Sequence, residues 1–325
     1  MNCHKMKWGV VALLVAVLLT SVSATYAQFR EEDESTGVQY GEHVVQRWKA
    51  GVEFTAGRAG CRGVIATVPI PANWPEQRVR LIEEDTSSGT RLTYRNLPPG
   101  VRQMMVANPS VPSGQSFHSL ITVEVARVEQ VPPEDTTPFV LPTSRTMPQQ
   151  ARVFLRPSPF IESTNSRMRS IYTETTSEHE AAWDKISAIY DYVRDNVEYK
   201  DEQQSVKGGL AALNDGYGDC EDMTSLFIAI CRAGDVPART VWVDGHCYPE
   251  FLLLDADENP HWFPCQVAGT YAFGGMPDLR IILQKGDMFR TPEEPNEPKR
   301  YAAEFLRTSG APPSSYRFVR ERLTD

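Results

Sequence analysis

The sequence predicts an α+β chain with strands gathered at the front and helices behind them. Three observations support this. Six short strand-like runs fill the region before residue 131; an apolar stripe at helical spacing follows at 180–198; and a second apolar helical run from Met223 leads into three further strand-like runs.

In chain order, Lys5 and Lys7 precede an apolar run from Trp8 to Leu19. Small residues then lead to Ala24-Thr25-Tyr26-Ala27, the layout of a secretory signal peptide over 1–27, with cleavage expected after Ala24 or Ala27. The polar, acidic stretch from Gln28 to Gly41 predicts a loose segment. The six strand-like runs are Val52–Thr55, Val64–Ile70, Arg78–Ile82, Arg91–Tyr94, Arg102–Val106 and Leu120–Val128, separated by Gly, Pro, Asn and Ser clusters. In the last, Ile121, Val123 and Val125 alternate with Thr122 and Glu124, as in a half-buried antiparallel strand, and the set predicts a small β-sandwich. Seven prolines between Pro132 and Pro159 predict a linker or an extended arm.

Trp183, Ile186, Ile189, Tyr190, Val193 and Val197 form the stripe of a helix from about Glu180 to Glu198, with Asp184, Lys185, Asp191 and Arg194 expected to face solvent. After a loop containing Gly208-Gly209 and Asn214-Asp215-Gly216 comes a second helix. Asp219 is its N-cap, Asp222 completes a capping-box-like pair, Met223, Leu226, Phe227, Ile230 and Cys231 recur at helical spacing, and Gly234 stops the run. Thr240–Val243, Phe251–Leu254 and His261–Val267 read as strands, the last two joined by the turn residues 255–260. Pro292, Pro295 and Pro298 argue against a long helix before Tyr301–Leu306.

Composition excludes some functions. The formal charge is -9, and loss of Lys5 and Lys7 with the leader makes it -9 - 2 = -11, so nucleic acid and anionic membrane surfaces are poor partners. No segment after the leader approaches the roughly twenty apolar residues that span a bilayer. Beyond Cys3 in the leader there are five cysteines: Cys61, Cys220, Cys231, Cys247 and Cys265. With no CxxC pair and no histidine–cysteine spacing of the zinc type, neither a metal nor a cofactor is expected.

The chemistry centres on Cys220. In the first turn of a helix, unpaired N–H groups and the positive end of the dipole stabilise a thiolate, and Gly218 just ahead is expected to leave room for substrate. A thiol nucleophile needs a base, and the base a third group to orient it. His246 follows the strand Thr240–Val243 and is 26 residues after Cys220, enough for helix, turn and strand to bring it back; His261, beside Pro260 at a turn, is the rival. His43 and His118 are isolated in the β-rich region and are expected to be structural.

Helix, strand and then a histidine opening a hairpin is an order found in the transglutaminase-like cysteine enzymes, and four motifs carry the resemblance. Residues 182–186 through 195–199 resemble that family's helix before the active site. Gly218-Asp219-Cys220-Glu221-Asp222 resembles its nucleophile motif, Pro237-Ala238-Arg239 its strand entry, and His246-Cys247-Tyr248-Pro249-Glu250 its histidine motif. The likeness spans about 166–266. It implies a papain-like cysteine-enzyme core at 166–300, after a β-sandwich-like domain at 28–131 and a linker at 132–165, with a C-terminal segment at 301–325. The family's Trp-x-Pro-x-Asp strand appears here as Trp262-Phe263-Pro264-Cys265-Gln266, which puts Gln266 in the place of the acid. An amide still accepts from an imidazole N–H but adds no negative charge. Asp255 and Asp257, both in the turn, are the substitutes.

The implied catalytic set is therefore Cys220, His246 and Gln266. The implied activity is acyl transfer on a peptide or protein carboxamide outside the cytoplasm, as protease, amidase or transglutaminase. The alternative is a catalytically weak or inactive module used for protein or cell-envelope binding. If His246 faces Gln266 across the hairpin, Cys247 faces Cys265, close enough for a disulfide, a reduced pair being the other outcome.

Overall fold

The structure, a computed structural model, describes residues 38–201 and 205–324; the leader expected at 1–27 lies outside them. Six strands come first: β1 (Gln39–Ala56), β2 (Cys61–Ile70), β3 (Gln77–Thr86), β4 (Arg91–Leu97), β5 (Val101–Val111) and β6 (Ser116–Val131). A short 3-10 helix (Gln149–Leu155) precedes α1 (Ser166–Thr176), α2 (Ala182–Asn196), β7 (Glu198–Tyr199), α3 (Gly209–Asp215), β8 (Tyr217–Gly218) and α4 (Cys220–Ala233). Then come β9 (Ala238–Val243), β10 (His246–Leu254), β11 (Pro260–Pro264), β12 (Ile282–Lys285), β13 (Phe289–Thr291), β14 (Glu294–Lys299), β15 (Phe305–Ser309) and β16 (Pro313–Leu323).

Each of the six early runs lies within a longer strand, and Ile121, Val123 and Val125 of β6 are buried as their alternation requires. A four-stranded sheet, ordered β16-β1-β6-β3, faces the β2-β5 part of a larger sheet across a core of Trp48, Val52, Phe54, Val64, Val68, Met104 and Ile121. The expected sandwich is present, but its second sheet does not stop at the end of that region. It runs β11-β10-β9-β12-β5-β2-β15, with β4 also on β5, so strands on both sides of the proline-rich stretch share one hydrogen-bonded surface.

The division at 131, 165 and 300 accordingly does not separate compact units, since the described residues form one. Residues 132–165 pack as an arm: Phe139 is buried against Trp183 and Phe263, and Val140 bridges to Leu254. The C-terminal stretch returns to the front of the chain, β15 pairing with β2 and β16 with β1.

Behind β9, β10 and β11 lies the helical layer. Ile186, Ile189, Tyr190 and Val193 of α2 and Leu226, Phe227, Ile230 and Cys231 of α4 meet Phe251, Leu253 and Phe263 in the second core. Each such buried side chain contributes about 1.5–3 kcal/mol. α4 is buried nearly all round, as a helix wedged between a sheet and other helices must be. Arg232 in its last turn makes a buried 2.7 Å ion pair with Asp287, which follows β12, and also donates to the Ala238 carbonyl.

Candidate active site

Cys220 is the first residue of α4. The Asp219 carboxylate accepts from the Asp222 N–H at 2.9 Å while Asp222 accepts from the Asp219 N–H, so the expected capping box is formed. Asp222 also accepts from the N–H groups of Lys207 and Gly208 at 2.9 and 2.8 Å, locking the incoming loop onto the helix start. Its fully buried carboxylate is paid for by these backbone donors. Gly218 does not open space for substrate. A Cβ there would lie 2.8 Å from the Asp222 Cβ and 3.1 Å from the Ala212 Cβ, so its hydrogen is required by the packing of the loop on the capping box.

His246 opens β10 and reaches Cys220, as expected. Its Nε2 lies 2.9 Å from Gln266 Oε1, which leaves Nδ1 for the sulfur side. The structure therefore brings Cys220, His246 and Gln266 together. It does not bring in the turn: Asp255 accepts from His261 Nε2 at 2.8 Å and from the N–H groups of Asp257 and Asn259. Asp255 and His261 thus serve each other, away from the thiol.

The route to this arrangement differs from the expected register. β10 pairs Glu250 with Pro264 and Leu254 with Pro260, whereas His246 opposite Gln266 would require Glu250 opposite Trp262. A slip of two residues keeps every side chain on its face, so Gln266 becomes a diagonal neighbour of His246 and its long side chain spans the offset. The same slip separates Cys247 from Cys265, and both are free buried thiols.

Two residues that hold this geometry were not singled out from the sequence. The Gln266 carbonyl accepts from the Tyr190 hydroxyl at 2.9 Å and from Arg194 at 3.0 Å, and its N–H donates to the Ala272 carbonyl at 2.7 Å. Arg194, expected to face solvent, spends its guanidinium on residues 266–269. By sequence Tyr190 belongs to an apolar stripe, and its hydroxyl is the one signal there of a polar task. Beside His246, the Asp278 carboxylate pairs with Arg280 at 2.5 Å; burial opposes its charge, but the Arg280 bonds and the nearby His246 imidazole hold its pKa below the ordinary value.

The electrostatics suit an ion pair. A hydrogen bond from the Cys247 thiol, opposed by burial and reinforced by His246, lowers the Cys220 pKa to about 4. Burial works against the charged imidazole of His246, but its bonds to Cys220 and Gln266 outweigh this and the pKa is raised. Burial drives the thiols of Cys231 and Cys265 upward, so they stay protonated and inert. His118 pairs with Asp85 and His43 sits exposed on β1, both apart from the site. Among the described residues no cluster of His, Cys, Asp or Glu has the geometry to hold a metal ion, and no helix is long and apolar enough to cross a membrane.

The family model of the transglutaminase-like superfamily matches residues 169–267. A solved structure from Cytophaga hutchinsonii, described as a "putative cysteine protease", superimposes with a TM-score of 0.55 at 15% identity, covering 88% of this chain and 94% of that one. At that identity it shows the fold alone. A "putative protease" from Parabacteroides distasonis has a TM-score of 0.28 at 13% identity, covering 72% of this chain and 48% of that one, which is too low to carry an argument. No curated protein matches. The segment matched by the family model holds Cys220, His246 and Gln266: residues 169–267 are a transglutaminase-like superfamily domain.

Proposed function

We propose that this chain is an exported cysteine acyl-transfer enzyme acting on peptide or protein carboxamides through a thioester. The observation that carries the reading is the bond between His246 and Gln266 at 2.9 Å, which orients the imidazole toward a cysteine at a helix N-terminus. In the resting site the proton sits on His246 and the charge on Cys220. The sulfur attacks the carboxamide carbon, and His246 gives its proton to the leaving amine as the tetrahedral adduct collapses to the thioester. Water or a second amine then attacks, His246 takes its proton, and the acyl group leaves Cys220. The first N–H groups of a helix have no intrahelical acceptor, so the Cys220 N–H can donate to the oxyanion. Gln266 holds the tautomer and ring orientation without adding charge.

Export rests on the signal-peptide layout of residues 1–27, which makes the periplasm or the exterior the place of action. The test is a panel of peptides and cell-wall fragments incubated with wild type and Cys220→Ser. Wild type should release amine and show an acyl adduct on the Cys220 peptide by mass spectrometry, and the variant neither. The second reading, a binding module without turnover, draws on the amide at position 266. It gains if every substrate stays intact and iodoacetamide finds a Cys220 thiol ionising like free cysteine.

A further inference from the structure

The turn between β4 and β5 and the connection from β2 to β3 enclose a groove of about 640 Å³, the size of a small-molecule site, which shares no residue with the proposed reaction centre. Two aromatic side chains, Trp74 and Tyr94, line it. Trp74 is held in place from two directions. Its main chain exchanges bonds of 2.8 and 3.1 Å with Gln77, and its ring lies against Gly100, where a Cβ would come within 2.9 Å of the indole. The Gln77 side chain is itself fixed, accepting from the Ile282 N–H at 2.7 Å and donating to the Ile282 carbonyl at 2.9 Å. Tyr94 donates its hydroxyl to Glu84 at 2.5 Å and carries the Arg102 guanidinium over its ring, 5.2 Å from the centroid. An aromatic wall fixed in advance loses little freedom when a ligand settles on it.

The two arginines of the groove differ. Arg95 bonds both carboxylate oxygens of Glu293 at 2.9 and 2.6 Å and donates twice more to Gln103, so its charge is neutralised and its donors are occupied. Arg102 makes no ion pair and no side-chain hydrogen bond among the described residues, and its ring contact leaves the N–H fork open. On a chain of formal charge -9, an unpaired guanidinium in a concave site is complementary to a carboxylate, which it can hold through two parallel bonds. Planar amides stand beside it. Asn96 is directly opposite Arg102 in the β4–β5 register, with no side-chain partner among the described residues, and Asn73 accepts from the Val79 N–H at 2.7 Å and keeps its NH₂ for the groove. The geometry points to a second binding site, for an acidic saccharide of the hexuronate type: the carboxylate on Arg102, hydroxyls on the amides of Asn96 and Asn73, and the apolar face of a sugar ring against Trp74. An acidic peptide would meet the same cation, but Pro98 and Pro99 at the turn have no N–H to offer its main chain.

The test is calorimetric and needs no turnover at Cys220. Trigalacturonic acid, its uncharged methyl ester and a terminally blocked triglutamate of the same charge are titrated into the full chain, as wild type, Arg102→Gln, Arg102→Lys and Asn96→Ala, with thermal unfolding to check each variant. Wild type should bind the acid about tenfold or more tightly than either the ester or the peptide. Arg102→Gln should weaken the acid by about tenfold or more and leave the ester unchanged, the scale of a lost charge-assisted hydrogen bond. Arg102→Lys keeps the charge without the fork and should fall between the two, which serves where the glutamine variant does not fold. Asn96→Ala should weaken acid and ester alike. The assignment is overturned if wild type does not bind the acid. It is equally overturned if triglutamate binds as tightly, which would make the groove a peptide site, or if the folded Arg102 variants bind the acid as wild type does, which would place the sugar elsewhere.

Discussion

At the scale of single residues, the site combines a cysteine whose charge is favoured and a histidine whose proton is held. The ion pair exists between the lowered pKa of Cys220 and the raised pKa of His246, so kcat/KM should rise through the acid limb as the thiolate forms near pH 4 and fall on the alkaline limb above 6.5, the ordinary histidine value. A pH–rate profile on the best peptide of the panel checks both limbs; an alkaline limb at or below 6.5 would contradict the raised His246 value. Gln266→Ala should lower kcat/KM by roughly tenfold or more, on the scale of a positioned acid–base group, while Asp255→Ala leaves it near wild type because Asp255 serves His261. Gln266→Glu keeps the length and adds a charge that favours the imidazolium, so the alkaline limb should move upward. Cys220, His246 and Gln266 were all legible in the sequence, because a cap, a strand and a motif each place a residue locally. Gly218 was not. Its role depends on Asp222 and Ala212 closing on it from two other elements, and no local pattern records that approach.

At the scale of elements, the two helices carrying the apolar stripes appear within two residues of their expected limits. Burial with a 3.6-residue period and a capping box are written in neighbouring residues. Long polar side chains on those same helices are less readable. Arg194 has the sequence context of a solvent-facing residue, yet it and Tyr190 clamp the main chain of Gln266. Tyr190→Phe and Arg194→Ala should each reduce kcat/KM several-fold through a looser Gln266 while KM for a short peptide changes little, a split that steady-state kinetics resolves. The hairpin register is a second lesson. The turn at Asp255–Asn259 closes on its own hydrogen bonds and sets the pairing of β10 with β11, and a turn's internal geometry is harder to infer than the alternation on either side of it. α4 is anchored at its far end by the buried Arg232–Asp287 pair, with side chains 1% and 3% exposed. Asp287→Ala would strand a buried guanidinium and should cost about 3–5 kcal/mol by denaturant unfolding.

At the scale of the whole molecule, the sandwich and the cysteine-enzyme core are joined by pairing that no local signal carries, since Gln284 of β12 meets Val101 of β5 only after the chain has passed through the whole helical layer. Buried charges hold the seam: Lys285 bonds Glu250 of β10 and lies 2.6 Å from Glu76 just ahead of β3. Removing β16 by ending the chain after Ser309 would leave the edge of β1 open along ten residue pairs. An open edge of that length pairs with other chains, so the shortened protein should elute as aggregates in size-exclusion chromatography where the full chain does not. The pairing of β1 with β16 also sets a clock. Thr55 and Ser314 are 259 positions apart, and at the roughly 5–20 residues per second of synthesis the first strand waits on the order of 13–50 s for its last neighbour. For that interval the front of the chain is long, strand-forming and incomplete, a form that a holding chaperone can still keep unfolded.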